Sequence, residues 1–187
     1  MTSPFAISET SIPGLLFVKR KKYGDFRGEF DKIFCATSFS SSTHGAVEQI
    51  NLSRTTNAGT IRGMHAQDSD PAEYKIVTCI RGTVFDVAVD LRTNSETYGR
   101  CVCFELCGTS NMTVVFPPGV AHGFQTLVND CELVYAHTAR YSAENEYGVN
   151  PLDPDLNIPW PILTDIVKIS DRDKSLPLFS EITKNAL

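Results

Sequence analysis

Hydrophobic positions along this chain come in short runs rather than long helical stripes. The segments VEQINLS (47–53), EYKIVTCI (73–80), TVFDVAVDL (83–91), CVCFEL (101–106), MTVVF (112–116) and CELVYAHTA (131–139) are rich in Val, Ile, Thr, Phe and Tyr and are separated by turn residues. Runs of that length and composition predict β-strands. In the run over 83–91, Phe85, Val87 and Val89 alternate with Asp86 and Asp90. Side chains alternate across a strand, so the apolar trio is expected to face a core and the aspartates to face away from it. Arg81-Gly82 separates two of the runs and reads as a tight hairpin turn.

Many short strands in one chain point to an all-β sandwich or barrel, of which the jelly roll of the cupins is one solution. From Ser142 the pattern changes. NPLDPDLNIPWP (150–161) and the polar tail are Pro- and Asp-rich, which predicts loops and short peripheral helices laid against the strands. A length of 187 residues suits one domain with one core, expected over about 14–177 with a tail at 178–187. The chain shows no internal repeat.

Composition narrows the function classes. Hydrophobic residues make up 42% and charged residues 21%, as in soluble globular proteins. No apolar run approaches the roughly 20 residues of a membrane-spanning helix, and the first 22 residues place their apolar stretch before the basic cluster, the reverse of a secretory signal. A cytoplasmic protein without a membrane partner is expected. The net charge of -5 argues against a nucleic-acid surface while leaving room for a local phosphate pocket. The six cysteines contain no CxxC pair and read as buried free thiols.

Two histidines carry the candidate chemistry. PPGVAH (117–122) has the P-x-G-x-x-H spacing of the second cupin motif, ending at His122. The first motif normally supplies H-x-H and a glutamate, but here it reads His65-Ala66-Gln67, with Glu73 as the nearby carboxylate. Transition metals favour imidazole, thiolate and carboxylate over a glutamine amide. A metal-dependent cupin using His65 and His122 is therefore the secondary reading, and no metal is the primary one. His44 and His137 read as packing residues.

Beyond these motifs, the chain resembles the dTDP-4-dehydrorhamnose 3,5-epimerase family of cupin-fold deoxysugar-nucleotide epimerases. The matching blocks are GDFRGEF (24–30), QINLS (49–53), IRGMHAQ (61–67), YKIV (74–77), GTVFDVAVDLRTNSETYG (82–99), PPGVAHGF (117–124), VYAHTARY (134–141), DPDLNIPWP (153–161) and ISDRD (169–173). The resemblance implies that His65 is a base oriented by Asp173, that Tyr135 is the proton donor, and that Lys75 lies near the sugar ketone. It implies further that Arg27, Gln49, Asn51, Arg62, His122, Glu146 and Arg172 contact a nucleotide-sugar substrate, with Tyr141 beside the nucleoside. It also implies a reaction without cofactor and a homodimer formed by strand exchange.

These residue types suit the implied chemistry. Carbons 3 and 5 of a 4-keto sugar are both α to the carbonyl, so removing either proton gives an enolate, and reprotonation from the opposite face inverts the centre. That requires a base near neutrality, an acid on the other side and a cation for the oxyanion. The residues fit C3-only, C5-only and double epimerisation alike. The family pattern is not followed throughout. Ala66 and Val120 stand where aromatic residues are common, Arg172 where lysine is common, and Pro151-Leu152 where a Trp-Asn pair is frequent. These positions, Ala66 above all, are the expected source of altered sugar or nucleotide selectivity.

Overall fold

The structure is a computed structural model and describes residues 4–39, 42–70, 72–164 and 167–182. Its first six-stranded sheet comprises β1 (Phe5–Glu9), β2 (Leu16–Arg20), β10 (Met112–Phe116), β7 (Lys75–Arg81), β12 (Cys131–His137) and β5 (Gln49–Thr55), in that spatial order. The second sheet runs β13 (Glu146–Gly148), β6 (Thr60–Gln67), β11 (Val120–Thr126), β8 (Thr83–Asp90) and β9 (Cys101–Cys107), with β14 (Lys168–Ile169) pairing parallel to β6. A separate hairpin joins β3 (Lys22–Asp25) and β4 (Gly28–Asp31). Among the described residues, helices are limited to α1 (Ala36–Phe39), α2 (Asp171–Lys174) and a 3-10 turn at Phe179–Glu181. This is the jelly-roll sandwich expected of the strand pattern.

Apolar side chains fill three layers. Val77, Val84, Ala88, Leu106, Val114, Phe116, Phe124 and Leu133 meet between the sheets. Phe39 and its neighbours cover the outer face of the first sheet at Val18, Ile76, Val115 and Ala136. Leu156, Ile158 and Trp160, from the Pro- and Asp-rich segment, cover the outer face of the second at Val87, Val89 and Ala121. Trp160 is pinned there by its indole N–H, which donates to the Pro151 carbonyl at 2.7 Å, and by an edge contact with Phe85. Each fully buried aliphatic or aromatic side chain contributes about 1.5–3 kcal/mol, so these covers stabilise the fold rather than merely decorate it. The expected tail is part of this layer as far as it is described: Phe179 packs against Tyr98, and Ile182 borders the same cluster. Residues 183–187 lie outside the described residues.

Three local expectations are overturned. Arg81-Gly82 is not a hairpin turn, because β7 pairs with β10 and β12 while β8 pairs with β11 and β9. It is a corner at which the chain changes sheets. Gly82 sits there at φ +77°, where an added Cβ would come within 2.6 Å of Cys131 Sγ. The faces of β8 are also reversed: Phe85, Val87 and Val89 face the outer cover, whereas Val84 and Ala88 face the core between the sheets. Asp86 shares their side and is fully buried. Both faces of this strand are covered, so alternation alone does not tell inside from outside. The thiols differ too: Cys79 and Cys131 are buried, but Cys35, Cys101, Cys103 and Cys107 are only partly so, and all six are free.

Asp90 is the other buried aspartate of β8 and ties down the loop that follows. Its carboxylate accepts from Arg92 Nε at 2.8 Å, Thr97 Oγ1 at 2.5 Å and Ser95 Oγ at 2.7 Å. Burial alone would raise its pKa, but these hydrogen bonds outweigh it and bring the group down to about 2. A depressed carboxylate pKa stabilises the fold above the unfolded value of 3.8, and that stability is lost as pH falls towards 2. Asp90→Asn is thus expected to lower the thermal midpoint at neutral pH. The gap from the parent should shrink between pH 4 and pH 2 in a melting series, and a constant gap would refute the assignment.

Candidate active site

A cavity of about 610 Å³ opens between the inner faces of the two sheets, a size suited to a nucleotide-sized ligand. Every candidate residue except Arg27 lines it. The strand register explains the assembly. Lys75, His137 and Gln49 are partners in one row across β7, β12 and β5, and Tyr135 and Asn51 are partners in the neighbouring β12–β5 row. The facing sheet supplies His65 and Gln67 from β6 and His122 from β11. Gly63 and Gly123 let these two strands approach, since a Cβ on Gly63 would lie 2.5 Å from Gly123 Cα.

His65 Nε2 lies 2.9 Å from Asp173 Oδ1. Asp173 sits in α2, whose first turn is capped by the Ser170 hydroxyl, and its other oxygen accepts from the Gly63 amide at 3.2 Å. Burial works to raise Asp173, but the hydrogen bond and charge of His65 and the Gly63 amide prevail and hold it below the usual carboxylate range. An ionised Asp173 fixes the His65 tautomer with the proton on Nε2 and leaves Nδ1 as the basic nitrogen. Glu146 Oε1 is 3.8 Å from that nitrogen, and Glu146 Oε2 also accepts from the Tyr141 hydroxyl at 2.9 Å and from Arg172. Glu146, Tyr141 and Arg172 form the rim of the cavity beside His65.

Tyr135 approaches from the other sheet. Burial, reinforced by the Asp86 charge and opposed by Arg62, pushes its phenol above the ordinary range. It therefore stays protonated at working pH and is suited to giving a proton only to a strong base such as an enolate carbon. His122 lies beside it, ring centroids 5.8 Å apart, with Nε2 3.0 Å from Asp86 Oδ1. Burial raises Asp86, and His122 offsets part of that rise. Lys75 Nζ donates to the His65 carbonyl at 3.1 Å. Arg62 Nε donates to Thr55 Oγ1 at 3.2 Å, its guanidinium otherwise exposed at the cavity wall.

Arg27 is the exception. It stands on the β3–β4 hairpin with its side chain 77% exposed and paired with Asp25 at 2.6 Å, away from this chain's own cavity. The residues of the metal reading are likewise separated by their partners. His65 is held by Asp173, His122 by Asp86 and Glu73 by His137, while the Gln67 amide bridges the Arg140 carbonyl and the Ser142 N–H. Among the described residues no group of three or more His, Cys, Asp or Glu side chains is placed to hold a metal ion. Asp86, which holds His122, does not line the cavity. Two residues of the cavity wall have a different setting from the one their sequence suggests, His137 reading as packing and Glu73 only as a metal-site carboxylate. Strand alternation holds a signal for them, since His137 follows Tyr135 by two residues and Glu73 precedes Lys75 by two.

The model of the family described as dTDP-4-dehydrorhamnose 3,5-epimerase matches residues 9–181. The chain belongs to that family. It is 39% identical to the dTDP-4-dehydrorhamnose 3,5-epimerase of Sinorhizobium fredii over 173 residues, covering 92% of this chain and 88% of that one. It is 36% identical to a dTDP-4-dehydrorhamnose 3-epimerase of Streptomyces niveus, covering 88% and 80%. The crystal structure of a Legionella pneumophila 3,5-epimerase in complex with dTDP-4-keto-L-rhamnose superposes with a TM-score of 0.89 at 36% identity, covering 96% of this chain and 95% of that one.

Within this epimerase family frame, three of the four sequence departures do not line the cavity, although Ala66 and Val120 lie close behind Gln67, Glu73 and Lys75. Ala66 points into the outer cluster with Met64 and Val87, Val120 packs between the sheets, and Pro151-Leu152 lies outside the cavity wall. Residues alternate on β6, so Ala66 faces away whenever His65 faces in. Only Arg172 of this set lines the site.

Proposed function

We propose that this chain epimerises dTDP-4-dehydro-6-deoxyglucose at C3 and C5. His65 Nδ1 removes the proton α to the ketone, the C–H electron pair moves through the enolate to the carbonyl oxygen, and Lys75 holds that oxygen. Tyr135 then delivers its proton to the opposite face of the carbon as the enolate returns to the ketone, the phenolate regains a proton from solvent, and the His65 imidazolium gives its proton up to solvent. The observation that carries this reading is that base and acid come from opposite sheets across one cavity. A sugar ring lying between them meets His65 on one face and Tyr135 on the other. Arg62 and Arg172 are suited to the diphosphate.

Incubation with the substrate in deuterated water tests the reaction. Deuterium at both C3 and C5 is expected, and no incorporation at either would overturn the proposal. Incorporation at C3 alone would move the chain to the 3-epimerase reading. Activity lost on chelation and regained with stoichiometric iron, zinc or manganese would favour the metal-dependent one.

We propose further that the protein works in the cytoplasm as a homodimer. Phe26 is 99% exposed and Phe30 65%, both on the hairpin that carries Arg27, and Ile50 and Leu52 are exposed on the edge strand β5. Apolar side chains at an open sheet edge favour pairing with a second copy. Such pairing gives Arg27 a route to the partner's cavity. Sedimentation is expected to give twice the chain mass, and Phe26→Asp with Phe30→Asp to give monomers of reduced activity. A monomeric parent protein would refute this arrangement.

A further inference from the structure

We propose that Glu73 is a positioning residue for the reaction, aiming the Lys75 ammonium at the substrate carbonyl. This rests on Lys75 being the oxyanion holder. Glu73 lies just ahead of β7, its side chain only 5% exposed, and both its oxygens are used. Oε2 is 3.4 Å from Lys75 Nζ, and Oε1 is 3.0 Å from His137 Nδ1. His137 and Lys75 are direct partners across the β7–β12 pair, so the carboxylate bridges two side chains of one row.

The geometry gives this bridge a purpose. An ammonium has three N–H donors. The His65 carbonyl takes one at 3.1 Å, and the Glu73 carboxylate, ion-paired with the ammonium at 3.4 Å, draws the charge to one side, leaving a donor for an incoming oxygen. A lysine side chain is flexible, and without the second anchor its charge can swing away from the enolate oxygen while remaining in the cavity. His137 keeps the anchor itself in place: its Nδ1–H donates to Glu73, while its ring stacks on Tyr135 at 6.1 Å and 16° and its Nε2 lies 3.5 Å from Asn51 Nδ2. The acid and the lysine are thus braced by one chain of contacts on the sheet opposite His65.

A double-mutant cycle on the purified protein tests this with deuterium exchange as the readout. Glu73→Leu is expected to lower kcat roughly 10- to 100-fold, the scale of a misplaced catalytic group, with KM unchanged. Glu73→Gln, whose amide oxygen can still accept from Lys75, should keep most of the rate. In a Lys75→Met background the Glu73→Leu change should cost nothing more, because its effect passes through the lysine. An additive loss in that background, a loss confined to KM, or one matched by an equal fall in Glu73→Gln would overturn the proposal. If Lys75→Met alone leaves exchange intact, the oxyanion role of Lys75 fails instead, and the two failures are distinguishable.

Discussion

Replacing His65 with alanine is expected to lower deuterium incorporation at both C3 and C5 roughly 1,000- to 10,000-fold, the upper part of the range for a lost general base. Both carbons depend on it because one cavity contains one imidazole held by a carboxylate of lowered pKa, His65 on Asp173. His137 and His122 do not substitute for it: each is oriented by its own acidic partner, Glu73 or Asp86, elsewhere on the cavity wall. The fold should persist, since the Asp173 carboxylate retains the Gly63 amide as a donor. His65→Asn provides the control, keeping a polar side chain towards Asp173 without a basic nitrogen. Near-parental exchange in either variant, with an unchanged melting curve, would refute the assignment of the base.

Tyr135→Phe should separate exchange from inversion. The enolate still forms, and His65 still trades its proton with solvent, so deuterium enters the substrate from the His65 face with retention. Inversion loses its donor and is expected to fall about 100-fold or more, the ordinary contribution of a positioned acid. Stability should hardly change, because the Tyr135 hydroxyl has no hydrogen-bond partner among the described residues and its removal orphans nothing. Product stereochemistry by NMR, followed alongside isotope content, decides the matter. Equal losses of exchange and inversion would show that Tyr135 acts before the enolate rather than after it.

The strands rich in β-branched residues were legible because period-two hydrophobicity marks them. The two that carry His65 and His122 were not, because Gly63 and Gly123 dilute β-propensity at the very point where the strands need to come close. The resemblance placed His65, Lys75, Tyr135 and Asp173 in one site, and they do line one cavity. Residue-level reasoning alone could not have joined His65 to Asp173, which lies 108 residues away. On β8 a cover segment far along the chain buries the outward-facing Phe85, Val87 and Val89, so the more apolar face is not the one between the sheets. Glu73 reads only as a metal-site carboxylate and His137 only as packing, because a carboxylate–imidazole pair formed across strands leaves no local spacing to read. Arg27 shows the opposite limit: its motif matches, but the hairpin carrying it does not fold over this chain's own cavity.

The parallel pairing of β14 with β6 brings Asp173 to His65 from 108 residues further along the chain. During synthesis, a ribosome that has released residues up to 164 has already delivered the base, the acid and the lysine. The imidazole is still without its orienting carboxylate. Of the four side chains, Asp173 is thus the last to be synthesised, so the imidazole on β6 gains its orienting partner only after both sheets have their central strands.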